Sequence, residues 1–156
     1  HCGSCWAFAS VGSIESLFKI QKDKTLDLSE QELVNCDTMS HGCDGGFGDT
    51  ALDYVKDHGL SRTKDVPYHG KTENCFRRFL DKLFIKSYMV AEGKDILKKS
   101  LVMSPTIVYI AATNDLTMYK SGIYNGSCAK DVNHAVLLIG EGYDELLNKR
   151  YWIIKN

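Results

Sequence analysis

The sequence predicts an α+β protein of two lobes, with helices in the first part and strands in the second. Its 156 residues are 44% hydrophobic and 25% charged, which is typical of a globular chain and excludes wholesale disorder. Apolar residues recur at helical spacing up to about residue 80, and β-branched and aromatic runs follow after about residue 90. Because helices and strands do not alternate, a parallel βαβ sheet is not expected. We expect a helical lobe over residues 1–85 and a β-rich lobe over residues 86–156.

Three helices are predicted in the first lobe. The first covers residues 5–20, where apolar residues form one stripe. The second begins after Ser29, a typical N-cap, and Glu32 three residues later completes a capping box. Leu28 and Leu33 stand where a hydrophobic staple would pack. A third helix is predicted over residues 49–56, and it ends before a glycine at position 59.

The second lobe is predicted to contain a short helix and three strands. The helix covers about residues 95–101. The strands cover residues 106–112, 132–140 and 150–155, which are β-branched or aromatic runs bounded by glycine, asparagine and aspartate.

Charge and hydropathy exclude two classes of function. Lysine and arginine number 19 against 20 aspartates and glutamates, so the chain lacks the cationic excess that phosphate neutralisation requires. No apolar run approaches the roughly 18 residues that a membrane span needs. We therefore expect no nucleic-acid partner and no membrane span in this segment.

The strongest chemical signal is a cysteine at the start of the first predicted helix. Unpaired N–H groups and the helix dipole would stabilise a Cys5 thiolate, which still needs a cationic proton donor. His134 lies in an otherwise apolar strand, and Asn156 ends another strand where its carbonyl could accept the imidazole N–H. A satisfied core histidine is the alternative interpretation of His134.

Five segments, in this order along the chain, resemble the papain-like cysteine proteases of the cathepsin L type: residues 2–8, 28–36, 42–46, 133–136 and 151–156. The histidine and asparagine follow the cysteine by about 130 and 150 positions, as in that family's signature. Asn133, together with residues 85–88, also resembles the falcipain-like branch of parasite enzymes.

The resemblance implies a papain-like two-lobed fold whose second lobe is antiparallel and β-barrel-like. It implies a cysteine endopeptidase in which Cys5 is the nucleophile, His134 its imidazolium partner and Asn156 the residue that orients the ring. The acyl-enzyme would be a thioester.

The resemblance also assigns residues to substrate binding. Glycines at positions 45 and 46 would let an extended peptide approach the backbone, and apolar walls would favour an apolar residue at P2, the second residue before the scissile bond. Phe47 and Tyr109 could instead be ordinary core aromatics. The assigned residues are Gly45, Gly46, Phe47, Tyr109, Val132, Asn133 and Ala135.

The six cysteines are expected, by resemblance, to be two disulfides, one nucleophile and one residue without a partner. The alternative is three disulfides, which would consume the nucleophile. The implied pairs are Cys2 with Cys43 and Cys36 with Cys75, Cys5 stays free, and Cys128 matches a cysteine whose partner would lie beyond Asn156.

The chain departs from the family pattern in three places, and the first two indicate an incomplete segment. The glutamine that supplies a second oxyanion donor would fall before His1, and relatives continue beyond Asn156. We expect the 156 residues alone to be badly impaired and the parent protein to be active. Glu141 stands where many relatives carry tyrosine, and the sequence offers no account of it.

Disulfides indicate an oxidising compartment, so a secretory route to a lysosome, a vacuole or the exterior is expected. Asn125 begins a glycosylation sequon. The expected partners are peptide and protein substrates and, by resemblance, the protein's own pro-segment and cystatin-type inhibitors. We expect a monomer with no cofactor and no metal.

Three other functions remain open from the sequence. Cys2 and Cys5 could form a CxxC redox pair, although that motif normally accompanies a βαβ unit. A zinc site built from His1, Cys2, Cys5 and His41 would lack a matched second ligand pair. A papain-like fold can also persist as a catalytically silent binding module.

Overall fold

A computed structural model describes residues 1–76 and 81–156 of the chain; the part of the predicted first lobe at residues 77–80 lies outside the described residues. Helices dominate the first region and an antiparallel sheet dominates the second. The elements in chain order are α1 (Cys5–Lys22), α2 (Glu30–Cys36), a 3-10 turn (Gly42–Asp44), α3 (Gly48–His58), α4 (Lys94–Met103), β1 (Thr106–Ile110), α5 (Asn114–Thr117), β2 (His134–Asp144) and β3 (Lys149–Lys155).

Helix α1 is the central element of the core. Its buried face carries only part of the predicted apolar stripe, because Phe8 is 44% exposed, and the helix packs against α2, α3, β1 and β2. The helix ends at Lys22 because Asp23 adopts a left-handed conformation, and the Asp23 N–H donates to the carbonyl of Lys19. Leu28 and Leu33, the predicted staple, are both fully buried in the core cluster.

The capping box predicted for α2 is half formed. The Ser29 hydroxyl accepts a hydrogen bond from the Glu32 N–H at 3.0 Å, as expected of an N-cap. The second bond of a capping box, from the Ser29 N–H to the Glu32 carboxylate, is not formed, so that part of the prediction is wrong. The Ser29 N–H donates to the Ser61 carbonyl instead. The Glu32 carboxylate turns inward, where it accepts hydrogen bonds from the Ser61 N–H and the Tyr54 hydroxyl and pairs with the Lys82 ammonium.

Helix α3 is longer than predicted and ends where predicted. Gly59 has a φ of 70°, and its N–H donates to the Val55 carbonyl, so the glycine closes the helix at His58. The predicted helix of residues 95–101 is α4, extended by a residue or two at each end.

The three predicted strands form one antiparallel sheet in the order β1-β2-β3. The β-barrel-like closure is wrong for the described residues, because the sheet is open. Three strands that each rotate by about 20–25° relative to their neighbour cannot curve back on themselves. Strand β2 begins at His134 rather than at residue 132, because the Asn133 side chain bonds to the Ala112 backbone there.

The sheet is buried only where β2 lies on α1. Among the described residues, the buried apolar side chains of the second region are residues 135–138 of β2. No helix in the described ranges is long and apolar enough to cross a membrane.

Candidate active site

The segment that contains Cys5, the first residue of α1, is fixed at several points on either side of that cysteine. Cys2 forms a disulfide with Cys43, and the Gly3 N–H donates to the Cys43 carbonyl at 2.7 Å. After the cysteine, the Trp6 indole N–H donates to the Gly42 carbonyl at 3.1 Å, and the Trp6 ring is fully buried. The half-buried Cys5 thiol is therefore held by the chain on both sides of it.

The disulfides found are the two pairs that the resemblance implies. The second bridge joins Cys36 to Cys75, and Cys5 and Cys128 are free. This contradicts both a Cys2–Cys5 redox pair and a set of three disulfides. Because a disulfide sulfur is not the thiolate that zinc binds, Cys2 is also unavailable to the alternative zinc site. No three His, Cys, Asp or Glu residues in the described ranges are grouped to hold a metal ion.

The histidine and the asparagine are hydrogen-bonded to each other. The Nε2 atom of His134 lies 2.6 Å from the Oδ1 atom of Asn156. An amide oxygen only accepts, so the proton of this bond belongs to Nε2, and Nδ1 is the ring nitrogen left to take up or release a proton. The histidine is half-buried and its partner is exposed, so His134 is not a satisfied core histidine.

The pairing of strands in the sheet brings His134 and Asn156 together. His134 opens β2 opposite Ile110 of β1, and Leu137 of β2 pairs with Lys155 of β3. Asn156 therefore follows the last residue of β3, beside the beginning of β2. Because β2 packs on α1, the strand with the histidine and the helix with the cysteine share one interface.

Phe47 and Tyr109 form an aromatic pair at the edge of this interface. Their ring centroids lie 6.5 Å apart, and the Gly48 N–H donates to the Tyr109 hydroxyl at 2.6 Å. This bond joins the start of α3 to β1. Burial raises the pKa of the Tyr109 phenol, the hydrogen bond with Gly48 lowers it, and the nearby Asp49 carboxylate adds to the rise.

The other residues assigned to the P2 pocket differ in burial. Ala135 pairs with Tyr109 across β1 and β2, and it is buried within the core cluster. Val132 is exposed and lies before β2 begins. Phe47 is also exposed, so neither Phe47 nor Tyr109, itself 40% exposed, is an ordinary core aromatic.

The two assigned glycines serve different purposes. Gly45 has a φ of 118°, and a Cβ added to it would meet nothing within 4 Å, so its open side is free for a ligand. A Cβ on Gly46 would lie 2.6 Å from the Trp6 ring. At position 46 the missing side chain is therefore required by packing inside the protein.

The Asn133 side chain is already bonded within the protein. Its Oδ1 accepts a hydrogen bond from the Ala112 N–H at 2.8 Å, and its Nδ2 donates to the Ala112 carbonyl at 2.9 Å. These two bonds hold the exposed Asn133 side chain against the Ala112 backbone at the start of β2. A depression of about 270 Å³ adjoins the pair and is lined by Ala112, Thr113, Leu116, Thr117, Asn133, His134 and Asn156.

Two contacts near these elements were not predicted from the sequence. The Ser4 hydroxyl lies 2.6 Å from the Tyr68 hydroxyl, a pair separated by 64 positions. Glu141 forms an ion pair with Lys98 at 2.7 Å, which ties β2 to α4. No local spacing pattern identifies partners this distant, so only the folded chain reveals them.

Known proteins match this chain over its full length. A family model described as "Papain family cysteine protease" matches residues 1–156. A cysteine proteinase of Theileria annulata is 52% identical over 156 residues, covering 100% of this chain and 35% of the relative. Falcipain-2b of Plasmodium falciparum (isolate 3D7) is 38% identical over 167 residues, with 100% and 35% coverage. The chain thus spans about a third of the length of these curated relatives.

Solved structures agree with the sequence relatives. Bromelain from Ananas comosus, in complex with the E64 inhibitor, has a TM-score of 0.91 at 33% identity, covering 99% of this chain and 73% of that one. The ragweed pollen allergen Amb a 11, a cysteine protease in its proform, has a TM-score of 0.92 at 36% identity, with 99% and 44% coverage. Sequence, fold and site geometry agree, and this chain belongs to the papain family of cysteine proteases.

Proposed function

We propose that the natural protein containing this chain is a cysteine endopeptidase that uses Cys5, His134 and Asn156. The observation that carries the proposal is the combination of a free cysteine at the first position of α1 with the 2.6 Å hydrogen bond between His134 and Asn156. A nucleophile, a base and an orienting group are the parts that acyl transfer through a thiolate requires.

The proposed reaction begins with the Cys5 thiolate and the His134 imidazolium. Sulfur attacks the peptide carbonyl carbon, a C–S bond forms, and the oxyanion is stabilised by the Cys5 backbone N–H. His134 gives its Nδ1 proton to the leaving amine as the C–N bond breaks, which leaves a thioester. The neutral ring then removes a proton from water, which attacks the thioester, releases the acid and restores the ion pair.

Asn156 acts in this scheme through the ring and not on the substrate. Its carbonyl holds Nε2–H in both protonation states of His134, so the imidazole stays in one tautomer and one orientation. We propose that the substrate lies between the lobes of residues 1–85 and 86–156, with its backbone over Gly45.

The proposed specificity is for an apolar P2 residue. Phe47 and Tyr109 supply exposed aromatic surface beside Ala135, and Val132 supplies an apolar rim. A long charged P2 side chain would find no opposite charge among these four residues, so its desolvation would go uncompensated.

The proposed setting is an oxidising compartment reached by secretion, either lysosomal, vacuolar or extracellular. Two disulfides support this route, and the exposed Asn125 is accessible for glycosylation. Inhibition by a pro-segment and by cystatin-type proteins, and a monomeric state, belong to the same proposal. One structural relative was solved in its proform.

Hydrolysis of a blocked dipeptidyl fluorogenic substrate with leucine at P2, by the natural protein, tests the activity. Cys5→Ser should abolish turnover, and the control Leu146→Ser, at an exposed residue of the turn between β2 and β3, should leave kcat/KM unchanged. Full activity in Cys5→Ser would overturn the proposal. A folded protein with no turnover would instead favour the catalytically silent module.

A further inference from the structure

Helix α3 begins without a side-chain cap from its own segment. Its N-cap residue is Phe47, whose ring offers no hydrogen-bond acceptor of the usual kind, and its first helical residue is Gly48. The first N–H groups of a helix have no partner within the helix. The Gly48 N–H donates to the hydroxyl oxygen of Tyr109, which lies 2.6 Å away and 61 positions later in the chain. A phenol of β1 therefore supplies an acceptor at the start of α3.

The start of α3 and the strand that carries the phenol are each held in place around this bond. On the helix side, the Thr50 hydroxyl donates to the Phe47 carbonyl at 2.9 Å. On the strand side, a Cβ added to Gly48 would lie 3.0 Å from the Ile107 side chain and 3.3 Å from the Tyr109 oxygen. Because β1 lies directly against the start of α3, the position of the Tyr109 hydroxyl is fixed by contacts on both elements.

The bond to Gly48 leaves the phenol with one unused donor. A tyrosine hydroxyl both accepts and donates, and here its oxygen accepts, so the O–H proton is directed away from the Gly48 N–H. Among the residues that the structure describes, no acceptor receives this proton. The Asp49 carboxylate accepts the Thr50 N–H at 3.0 Å and makes no bond with Tyr109. Since burial raises the pKa of the phenol above 10.0, the O–H is present at acidic and neutral pH.

The unused donor belongs to the ring that forms part of the proposed P2 pocket. The Tyr109 ring faces the exposed Phe47 ring at 6.5 Å and is itself 40% exposed. A donor on a partly exposed ring is hydrated until a substrate side chain displaces the water. An apolar side chain offers no replacement for that water, whereas a side-chain oxygen does.

We propose that the Tyr109 hydroxyl is a specificity-determining donor in the P2 pocket, and that it selects a short branched P2 side chain carrying an oxygen acceptor, which is threonine. The inference rests on the proposed function, because it refines the P2 preference of the same site. The apolar surface of Phe47, Val132 and Ala135 receives the threonine methyl group, and the phenol donates to the threonine hydroxyl. Valine has the same shape and leaves the donor without a partner.

The test compares two blocked fluorogenic substrates, with threonine or valine at P2, in the natural protein and in its Tyr109→Phe variant. Phenylalanine keeps the ring and removes the oxygen. Loss of the acceptor for the Gly48 N–H affects both substrates alike, so the ratio of the two kcat/KM values isolates the contact with P2. The matched control is Tyr119→Phe, which removes a hydroxyl that donates to the Gly122 carbonyl.

In Tyr109→Phe, the ratio of kcat/KM for P2 threonine over P2 valine should fall about 2- to 12-fold, the range of one net hydrogen bond. The ratio should be unchanged in Tyr119→Phe. The ratio for P2 phenylalanine over P2 valine should stay constant in both variants, because the volume of the ring at position 109 is kept. A purely structural role for Tyr109 would change all three substrates equally.

An unchanged threonine-to-valine ratio in Tyr109→Phe would overturn the inference. If that variant fails to fold, the natural protein alone decides: it should hydrolyse the threonine substrate at least as efficiently as the valine substrate, and a clear preference for valine would contradict the proposal.

A binding measurement separates this inference from the proposed function. Calorimetry gives the Kd of the same two peptides for Cys5→Ala and for Cys5→Ala combined with Tyr109→Phe, and it needs no turnover. A Kd ratio that depends on Tyr109, in a natural protein without protease activity, would refute the proposed function and keep the inference. Turnover with a Kd ratio that is independent of Tyr109 would refute the inference alone.

Discussion

The helical region (residues 1–76) and the strand region (residues 81–156) hold their site residues by different means. In the helical region, Cys5 is fixed by a disulfide, a backbone hydrogen bond and the fully buried Trp6 ring. In the strand region, His134 and Asn156 are fixed by strand pairing and by a hydrogen bond at the protein surface. Cys5 is thus held largely by a disulfide and by buried packing, whereas His134 and Asn156 are held by hydrogen bonds.

This difference has an energetic consequence. A substitution in the helical region disturbs a dense interior and should lower the free energy of unfolding. A substitution of the site residues in the strand region alters half-exposed or exposed groups. It should therefore lower kcat/KM with little change in the free energy of unfolding. Substitutions in each region, with the free energy of unfolding and kcat/KM measured separately, test this distinction.

The largest effect is expected from His134→Ala. Removing the base leaves the thiol without its proton acceptor and the leaving amine without its proton donor, so kcat/KM should fall on the order of 10⁴-fold or more. The midpoint of urea unfolding should remain close to that of the wild type. His41→Ala, at an exposed turn histidine, is the control and should retain activity. A comparable loss in the control would contradict the assignment.

Glu32→Gln should have the next largest effect, on stability. The carboxylate is buried against Lys82, and breaking such a pair leaves an uncompensated buried charge, which costs about 3–5 kcal/mol. Burial alone would raise the pKa of Glu32, but its bonds to Lys82 and Ser61 outweigh burial, so the pKa lies below 4.5. Urea unfolding at several pH values provides the measurement.

The lowered pKa of Glu32 determines how the stability deficit of Glu32→Gln changes with pH. Stability from an acid with a depressed folded pKa is present above the unfolded value and is lost as the pH falls through the folded one. The deficit of Glu32→Gln should therefore be complete at pH 7 and shrink below about pH 4.5. Glu73→Gln, in the surface ion pairs with His69 and Lys71, should show a much smaller deficit at every pH. A deficit that grows on acidification would contradict the account.

Asn156→Ala should have a smaller effect than His134→Ala and should act on kcat. Loss of one orienting hydrogen bond to a charged ring corresponds to about a 5- to 150-fold decrease. Asn125→Gln, at another exposed asparagine, is the matched control and should leave kcat unchanged. If both variants behave alike in steady-state assays, the hydrogen bond to His134 does not orient the ring.

The smallest expected effect is a change of specificity in Tyr109→Ala. Removing the ring enlarges the proposed P2 pocket, so the ratio of kcat/KM for P2 phenylalanine over P2 valine should rise about tenfold. The control is Tyr119→Ala, whose ring packs on Tyr124 away from this pocket. An unchanged ratio would place Tyr109 outside the pocket.

Local patterns predicted the elements that local interactions determine. The Ser29 cap, the glycine end of α3 and the positions of the three strands could be read from neighbouring residues. Where a distant group competes, the prediction failed. The Glu32 carboxylate binds the Ser61 N–H and the Lys82 ammonium and does not complete the capping box of its own helix. Strand β2 starts two residues later than predicted because the Asn133 side chain bonds to the Ala112 backbone.

The site was only partly accessible to sequence reasoning. Cys5 was identified from its position before a helix, but the disulfide pairs came from resemblance, because cysteine spacing does not determine connectivity. Contacts such as Ser4 with Tyr68 and Lys98 with Glu141 join residues 64 and 43 positions apart. They depend on how whole elements pack, and no pattern within a short window encodes that.

The central claim is that Cys5 is the nucleophile and that His134 activates it, whereas the exposed Cys128 takes no part in the reaction. The most direct measurement is labelling of the natural protein with an epoxysuccinyl peptide, with the modified residue located by mass spectrometry. The account predicts one adduct, on Cys5, formed far more slowly in His134→Ala. Labelling of Cys128 at the same rate as Cys5, or no adduct on Cys5, would contradict it.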